Sequence, residues 1–287
     1  MHTPPLTDGQ VEQFHRDGYV ICRGYFEKDE MDLLLSTARA DHRMLGHNFP
    51  VKDSAGRESK LSLWNHPGND IYGMIARCRR IVDAMEQLLG GEVYHYHSKM
   101  MLKEPEVGGA WEWHQDYGYW YQNGCLLPDM ASCLIAVDRA TKENGCLQLL
   151  KASHRMGRID HGRYGEQTGA DPERVREALK HFELLHFEAE PGDALFFHSN
   201  LLHCSAPNGS PNPRWSLICC YNTRENDPFR EHHHPRYTPL VKVDDSMIRL
   251  IGARGAGVDQ ESFLDPSRDR TTGAGKTDMD RNPRGSA

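Results

Sequence analysis

The stretch Trp111-Glu-Trp-His-Gln-Asp116 sets a histidine and a carboxylate two residues apart, His114 and Asp116, among aromatic side chains. On an extended strand, residues i and i+2 project from one face, so both groups can meet a single ion. An imidazole nitrogen and a carboxylate oxygen suit borderline first-row metals, and two histidines with one carboxylate form the facial triad of non-haem iron(II) sites. Alone the spacing is a weak signal, because His15-Arg-Asp17, His181-Phe-Glu183 and His186-Phe-Glu188 share it. His15 and Asp17 end a helical pattern, where i and i+2 do not share a face, and read as capping groups. His186 and Glu188 fall on a strand pattern and compete.

A second block raises His114 and Asp116 above these rivals: Pro191-Gly-Asp-Ala-Leu-Phe-Phe-His-Ser-Asn-Leu-Leu-His203-Cys-Ser205, followed by Arg214. A strand, a short loop and a further histidine precede another strand that begins with an arginine. The third ligand is then His198 or His203. An arginine at that point offers a planar fork to the carboxylate of an organic acid held deep in the fold. His95 and His97 alternate on an earlier strand and read equally as cavity residues or as buried, hydrogen-bonded histidines. Trp111, Trp113, Tyr117, Tyr119, Trp120 and Tyr121 crowd the first block; they suit either enclosure of a cation or an apolar ring, or core packing. Of these, Trp113, Tyr117 and Trp120 are taken as substrate-binding candidates. The run His232-His233-His234 reads as a surface loop.

These groups need a scaffold, and the pattern supplies one. Thr7–Asp17 reads as a capped helix stopped by Gly18, Tyr19–Tyr25 as a short strand, Lys28–His42 and Asn69–Leu89 as amphipathic helices, the latter ended by Gly90-Gly91. Segments 43–66 and 157–182 are mixed and polar, plausible lids, with a helix at Pro172–His181. From residue 92 onward strands take over: Val93–Lys103, Ala110–Gly118, Ala131–Val137, Gly145–Leu150, His186–Glu190, Asp193–His198 and Arg214–Thr223. Short strands with turn signals after a helical flank predict a mainly β fold with flanking helices around a double-stranded β-helix, a jelly-roll or cupin-like core. One such domain is expected over 1–265. Residues 266–287 lack apolar content and are expected to be a disordered tail.

Composition narrows the function. The 287 residues carry a net charge of −7 with 38% hydrophobic and 26% charged residues, a soluble globular balance without a nucleic-acid footprint. No run of about 18 apolar residues suggests a membrane span, and no basic region followed by an apolar stretch opens the chain. Eight cysteines without any Cys-x-x-Cys spacing are expected as buried thiols of a reduced cytoplasmic protein.

From about residue 6 to about 224 the chain resembles the phytanoyl-CoA dioxygenase family of Fe(II)/2-oxoglutarate oxygenases. The resemblance rests on Leu6-Thr-Asp-Gly-Gln-Val-Glu-Gln-Phe-His-Arg-Asp-Gly-Tyr-Val20, His-Gln-Asp at 114–116, Glu-Asn-Gly-Cys-Leu at 143–147, Ser153-His154, and His203-x-Ser205 with Arg214 eleven residues past His203. It implies His114, Asp116 and His203 as ligands of Fe(II), with 2-oxoglutarate and dioxygen as co-substrates. It implies co-substrate contacts at Arg214, Ser205, Gln115, Met101 and Lys60, and a substrate contact at His97; Leu134 stands where some members have a tryptophan. The implied reaction hydroxylates an unactivated C–H of a small-molecule metabolite while 2-oxoglutarate becomes succinate and carbon dioxide. Asp116 favours hydroxylation, or a related desaturation or ring closure, over halogenation. The alternative is a cupin-like metal-binding protein, or a metal-dependent isomerase or lyase, without 2-oxoglutarate turnover; Arg214 and Ser205 argue against it. No basic cluster suits the phosphates of coenzyme A.

Overall fold

A computed structural model describes residues 5–255, 257–259 and 263–265; the tail expected over 266–287 lies outside them. In chain order the elements are α1 (Asp8–Asp17), β1 (Tyr19–Cys22), α2 (Lys28–Ala40), α3 (His42–Gly46), β2 (Phe49–Lys52), β3 (Glu58–Trp64), α4 (Ile71–Arg77), α5 (Arg79–Leu89), β4 (Val93–Lys103), β5 (Trp111–His114) and α6 (Asp116–Trp120). There follow β6 (Met130–Ala136), β7 (Leu147–Leu150), β8 (His161–Tyr164), β9 (Gln167–Ala170), α7 (Pro172–His181), β10 (Leu184–Phe187), β11 (Ala194–His198), β12 (His203–Ser205), β13 (Arg214–Thr223) and α8 (Met247–Gly252).

A seven-stranded antiparallel sheet, β1-β11-β6-β13-β4-β3-β2, faces a four-stranded one, β10-β7-β12-β5. This is the mainly β, jelly-roll architecture that the strand pattern predicts. Alternation along each strand serves two cores. On β13, Leu217, Cys219 and Tyr221 join the helix-backed core with Phe14, Leu34, Ile75 and Met85. Ile218 and Cys220 point the other way, between the sheets, with Leu134, Phe197, Leu149 and Phe187.

Several elements depart from the sequence reading, each for a local reason. The polar segment 43–66, expected as a lid, is regular structure: after α3, strands β2 and β3 form a hairpin that extends the large sheet. The helix expected over 69–89 is broken at Cys78, whose backbone is extended (φ −61°, ψ 144°). There the backbone pairs with a distant segment, Val243 N–H donating to the Arg77 carbonyl and Arg79 N–H to the Val243 carbonyl, at 2.9 and 3.1 Å. Tertiary pairing thus overrides a continuous helical pattern. The glycine-dotted 157–171 forms the hairpin β8–β9.

One irregularity shapes the interior. Cys220 pairs with His97 and Tyr221 with His95, so Tyr96 is an extra residue on β4 with no partner on β13. A β-bulge of this kind shifts the alternation by one and re-aims the side chains that follow. It sends His95 outward, where its ring meets the Asn65 carbonyl and Ser98 Oγ at 3.2 and 2.7 Å. His97, Lys99 and Met101 then line the interior. Of the two readings open to this pair, His95 takes the buried, hydrogen-bonded one and His97 the cavity one.

All eight cysteines are buried and unpaired with one another, and burial raises the thiol pKa of Cys22 and Cys146 to about 11 and of Cys125 and Cys219 to about 12. Ellman's reagent is therefore expected to find no rapidly reacting thiol in the native protein and all eight in guanidinium chloride. A fast native thiol would contradict this packing.

Candidate metal centre and its two cavities

His114 ends β5, and the chain turns at once, so Asp116 is the first residue of α6 rather than a second strand position. The i, i+2 strand geometry expected for the pair is thus replaced by a strand-to-helix turn, which still brings the groups together. His114 Nε2 lies 3.8 Å and His203 Nε2 4.0 Å from the same oxygen, Asp116 Oδ1. With metal–ligand bonds of about 2.0–2.2 Å, donor atoms up to about 4.4 Å apart can share one ion. His114, Asp116 and His203 are the one such cluster of three among the described residues.

Hydrogen bonds behind the three side chains fix how the donors face. His114 Nδ1–H donates to the Glu112 carbonyl at 2.7 Å and His203 Nδ1–H to the Leu201 carbonyl at 2.9 Å. Each bond selects the tautomer that leaves Nε2 with a free lone pair. Burial holds both imidazoles below their ordinary pKa, and on His114 the neighbouring His203 adds to the effect; both are therefore neutral, as ligation requires. Ser132 Oγ–H donates to Asp116 Oδ2 at 2.9 Å, leaving Oδ1 for the ion. The donor set fits a divalent first-row metal, iron(II) included.

Two adjoining cavities meet at the triad. The inner one, about 40 Å³, is lined by His114 and His203 together with Met101, Leu134, Ser205 and Arg214. Arg214 is buried; its Nη2 donates to the Gly145 carbonyl at 2.8 Å and its Nη1 to Ser216 Oγ at 3.3 Å, while Nε has no hydrogen-bond partner. Burial pulls the guanidinium down to about 10, still charged at neutral pH. No carboxylate among the described residues pairs with it. The outer cavity, about 100 Å³, reaches from His114 and Asp116 past His97 and Trp120 to Phe49, Leu63 and His234. The hairpins β2–β3 and β8–β9, the two segments expected as lids, both border it.

The remaining sequence candidates divide. Met101, Ser205 and Arg214 reach the inner cavity, and His97 and Trp120 the outer one. Gln115 does not: its Nε2 donates to the carbonyls of Gly157 and Asn200, and its Oε1 accepts from Ile159 N–H, all at 2.7 Å. Its amide is fully used in tying backbone together. Lys60 is exposed on β3 beside Glu58 and Leu102, away from both cavities. Trp113 packs with Ile159, Val175 and Leu202 behind the small sheet, and Tyr117 is buried in the core with its hydroxyl on the Cys125 carbonyl. Neither lines the site. His198 accepts from Asn200 N–H and packs near His154, and Glu188 is exposed, so neither rival reaches the triad. The sequence reading missed Lys99, which lines both cavities, and placed His233 and His234 on the surface where they instead help close the outer one. For Lys99 a signal existed: it lies two residues from both His97 and Met101 on one strand.

Residues 14–216 match the model of the phytanoyl-CoA dioxygenase family. The chain belongs to that family. It is accordingly an oxygenase of the Fe(II)/2-oxoglutarate-dependent class. It is 30% identical over 200 residues to L-proline trans-4-hydroxylase of Streptomyces griseoviridis, covering 62% of this chain and 75% of that one. It is 29% identical over 237 residues to ectoine dioxygenase of Halomonas elongata, covering 77% and 71%. The crystal structure of EctD from S. alaskensis with 2-oxoglutarate and 5-hydroxyectoine shares the fold at a TM-score of 0.65 and 24% identity, covering 85% of this chain and 86% of that one.

Ser132 acts on the metal only through Asp116. Ser132→Ala is expected to weaken iron(II) binding by about 10-fold to 100-fold, the usual cost of losing such an outer partner, measured anaerobically by competition with a chromogenic chelator. Unchanged affinity in a folded variant would contradict the assignment.

Proposed function

We propose that the protein hydroxylates an unactivated C–H bond of a small polar metabolite, with 2-oxoglutarate converted to succinate and carbon dioxide. Arg214 carries this reading. A buried guanidinium without a counterion is costly, and this one lines a small cavity that two of the metal-ligating histidines also line. A dicarboxylic 2-oxo acid fits those demands: one end reaches the metal, and the distal carboxylate meets Arg214 with Ser205 beside it. A metal-binding protein without 2-oxoglutarate turnover would leave the arginine unexplained.

With iron(II) and dioxygen, 2-oxoglutarate supplies an oxidative decarboxylation that yields succinate, carbon dioxide and one oxygen atom for the substrate. The chain does the positioning. His114, Asp116 and His203 would hold the iron(II) ion. Arg214 and Ser205 orient the co-substrate, Met101 and Leu134 give its cavity apolar walls, and the buried setting keeps bulk water from the reacting atoms. A substrate in the outer cavity lies against Asp116 and His114, with Trp120 and His97 on its far side. By the usual allowance of about 10–15 Å³ per water, this space holds roughly seven to ten waters, suited to a small ring or amino-acid-sized molecule. Relatives named for L-proline and for ectoine make those two compounds the first to test.

In the presence of iron(II), oxygen and 2-oxoglutarate, succinate release is expected to rise when the correct metabolite is added, and the product to gain one oxygen by mass. L-Proline, ectoine and a panel of small polar metabolites are the test set. Arg214→Met is expected to raise the KM for 2-oxoglutarate about 100-fold or more, the loss of two charge-assisted hydrogen bonds, with a smaller effect on kcat. A KM left unchanged would remove Arg214 from the co-substrate site.

A further inference from the structure

Among the described residues, Lys99 is the one charged group lining both cavities, and neither the metal centre nor the co-substrate explains it. It projects from the same face of β4 as His97 and Met101, between Leu63 on β3 and Ile218 on β13, and it borders both cavities together with Trp111 and His114. It is half-buried, and no hydrogen bond or ion pair from it is found among the described residues. The carboxylates that line its cavity are Asp116, which the metal would take, and Glu166. His97, His114, His203 and His234 are all buried imidazoles held neutral, each feeling the nearby charge of Lys99. Glu166 lines the same cavity but is exposed at its mouth, where its carboxylate accepts from Lys52 N–H.

The charges decide what belongs beside it. The two charges of an iron(II) ion held by the triad would be offset by Asp116 and by one carboxylate of 2-oxoglutarate. The distal carboxylate offsets Arg214. Lys99 is left over, a cation in a partly desolvated site without a counter-charge, and such a group is stabilised by an incoming anion. Lys103, next but one after Met101 on the strand, is no rival for that anion. Its Nζ donates to the Ala206 carbonyl, it lines neither cavity, and burial with the adjacent Arg214 pushes its pKa well down. A second polar group waits close to Lys99. His97 Nδ1 is buried with no hydrogen-bond partner, its ring stacked on His234 at 4.5 Å and edge-on to Trp120 at 5.8 Å.

From this arrangement we infer that the outer cavity takes a substrate bearing an oxyanion, a carboxylate or a phosphonate, set against Lys99, with a neighbouring polar group of the substrate on His97. The inference rests on the oxygenase reading and names the substrate class of its site. It removes a purely cationic substrate from consideration, although aromatic residues are plentiful there: a cation would meet the uncompensated charge of Lys99 with the wrong sign. A zwitterion is accommodated with its anionic end inward. The walls from Phe49, Val51, Leu61 and Leu63 then receive the apolar part.

The test uses the full chain loaded with manganese(II) and 2-oxoglutarate, which cannot turn over, and reads binding from paramagnetic relaxation of probe protons near the metal. Propionate, ethylphosphonate and the uncharged propionamide are the probes, at constant ionic strength, with 2-oxoglutarate affinity measured separately by equilibrium dialysis. A hydrogen bond to a charged partner is worth roughly 1.5–3 kcal/mol, so the wild type is expected to bind the anions about tenfold or more tightly than propionamide. Lys99→Met should erase that preference, Lys99→Arg should retain it, and both should keep the wild-type affinity for 2-oxoglutarate. Whether propionate or ethylphosphonate binds tighter identifies the oxyanion. Equal binding of all three probes to the wild type, or none, overturns the inference, as does a preference that survives in Lys99→Met. Loss of 2-oxoglutarate affinity in Lys99→Met would reassign the lysine to the co-substrate. Absence of 2-oxoglutarate binding in the wild type would remove the oxygenase reading itself.

Discussion

The amide of Gln115 holds the centre together. It stands between two ligands in sequence, yet its side chain turns away from the metal and bonds to Gly157, Asn200 and Ile159. Its backbone N–H donates to His161 Nε2 at 3.0 Å. Asn200 belongs to the loop that leads into His203, so one side chain ties the turn bearing His114 and Asp116 to the segment bearing the third ligand. Both N–H donors and the carbonyl oxygen of the amide are engaged within a buried environment, where leaving any of them unpaired would be costly. The three ligands come from two distant parts of the chain, and β5–β12 pairing, which sets His203 opposite His114, supplies the rest of their register.

Around that anchor the fold separates two electrostatic tasks. The large sheet provides the cations: Arg214 from the start of β13 and Lys99 from the neighbouring strand β4. The small sheet and the turn after it provide the neutral histidines and the single carboxylate. Arg214 is seated by the Gly145 carbonyl, at a glycine with φ +75° whose missing Cβ would lie 2.2 Å from the Ala206 carbonyl oxygen. That close approach is open to glycine alone. The bulge at Tyr96 completes the division, because without its shift of alternation His97 and Lys99 would face the helix-backed core rather than the cavities.

Much of this was legible in the chain. His114, Asp116, the block from Pro191 to Ser205 and Arg214 carry their chemistry in residue type and spacing, and the strands β4, β6, β11 and β13 show in runs of apolar and β-branched residues. What was not legible depends on contacts distant in sequence. The strand β3 reads as polar because Ser59 and Ser62 are buried by hydrogen bonds to the Gly109 and Met44 carbonyls, not by apolar character. The break at Cys78 depends on Val243, far along the chain. Gln115 and Tyr117 looked like site residues, the first from the family resemblance, but the turn after His114 sends them elsewhere; Trp113, next to His114 on β5, takes the opposite face of that strand. The bulge that separates His95 from His97 leaves no mark in residue type. Conversely, His234 enters the site from a polar stretch with no periodicity to announce it.

One coincidence of groups matters most: three donors around a single point, with Arg214 lining the same small cavity as two of them. Anaerobic addition of iron(II) and then 2-oxoglutarate to the apo-protein tests it directly through the visible charge-transfer band of the resulting chelate. The band is expected in the wild type and in His198→Ala, and is expected to vanish in His203→Ala. Its absence from the wild type, or its loss in His198→Ala with retention in His203→Ala, would contradict the site described.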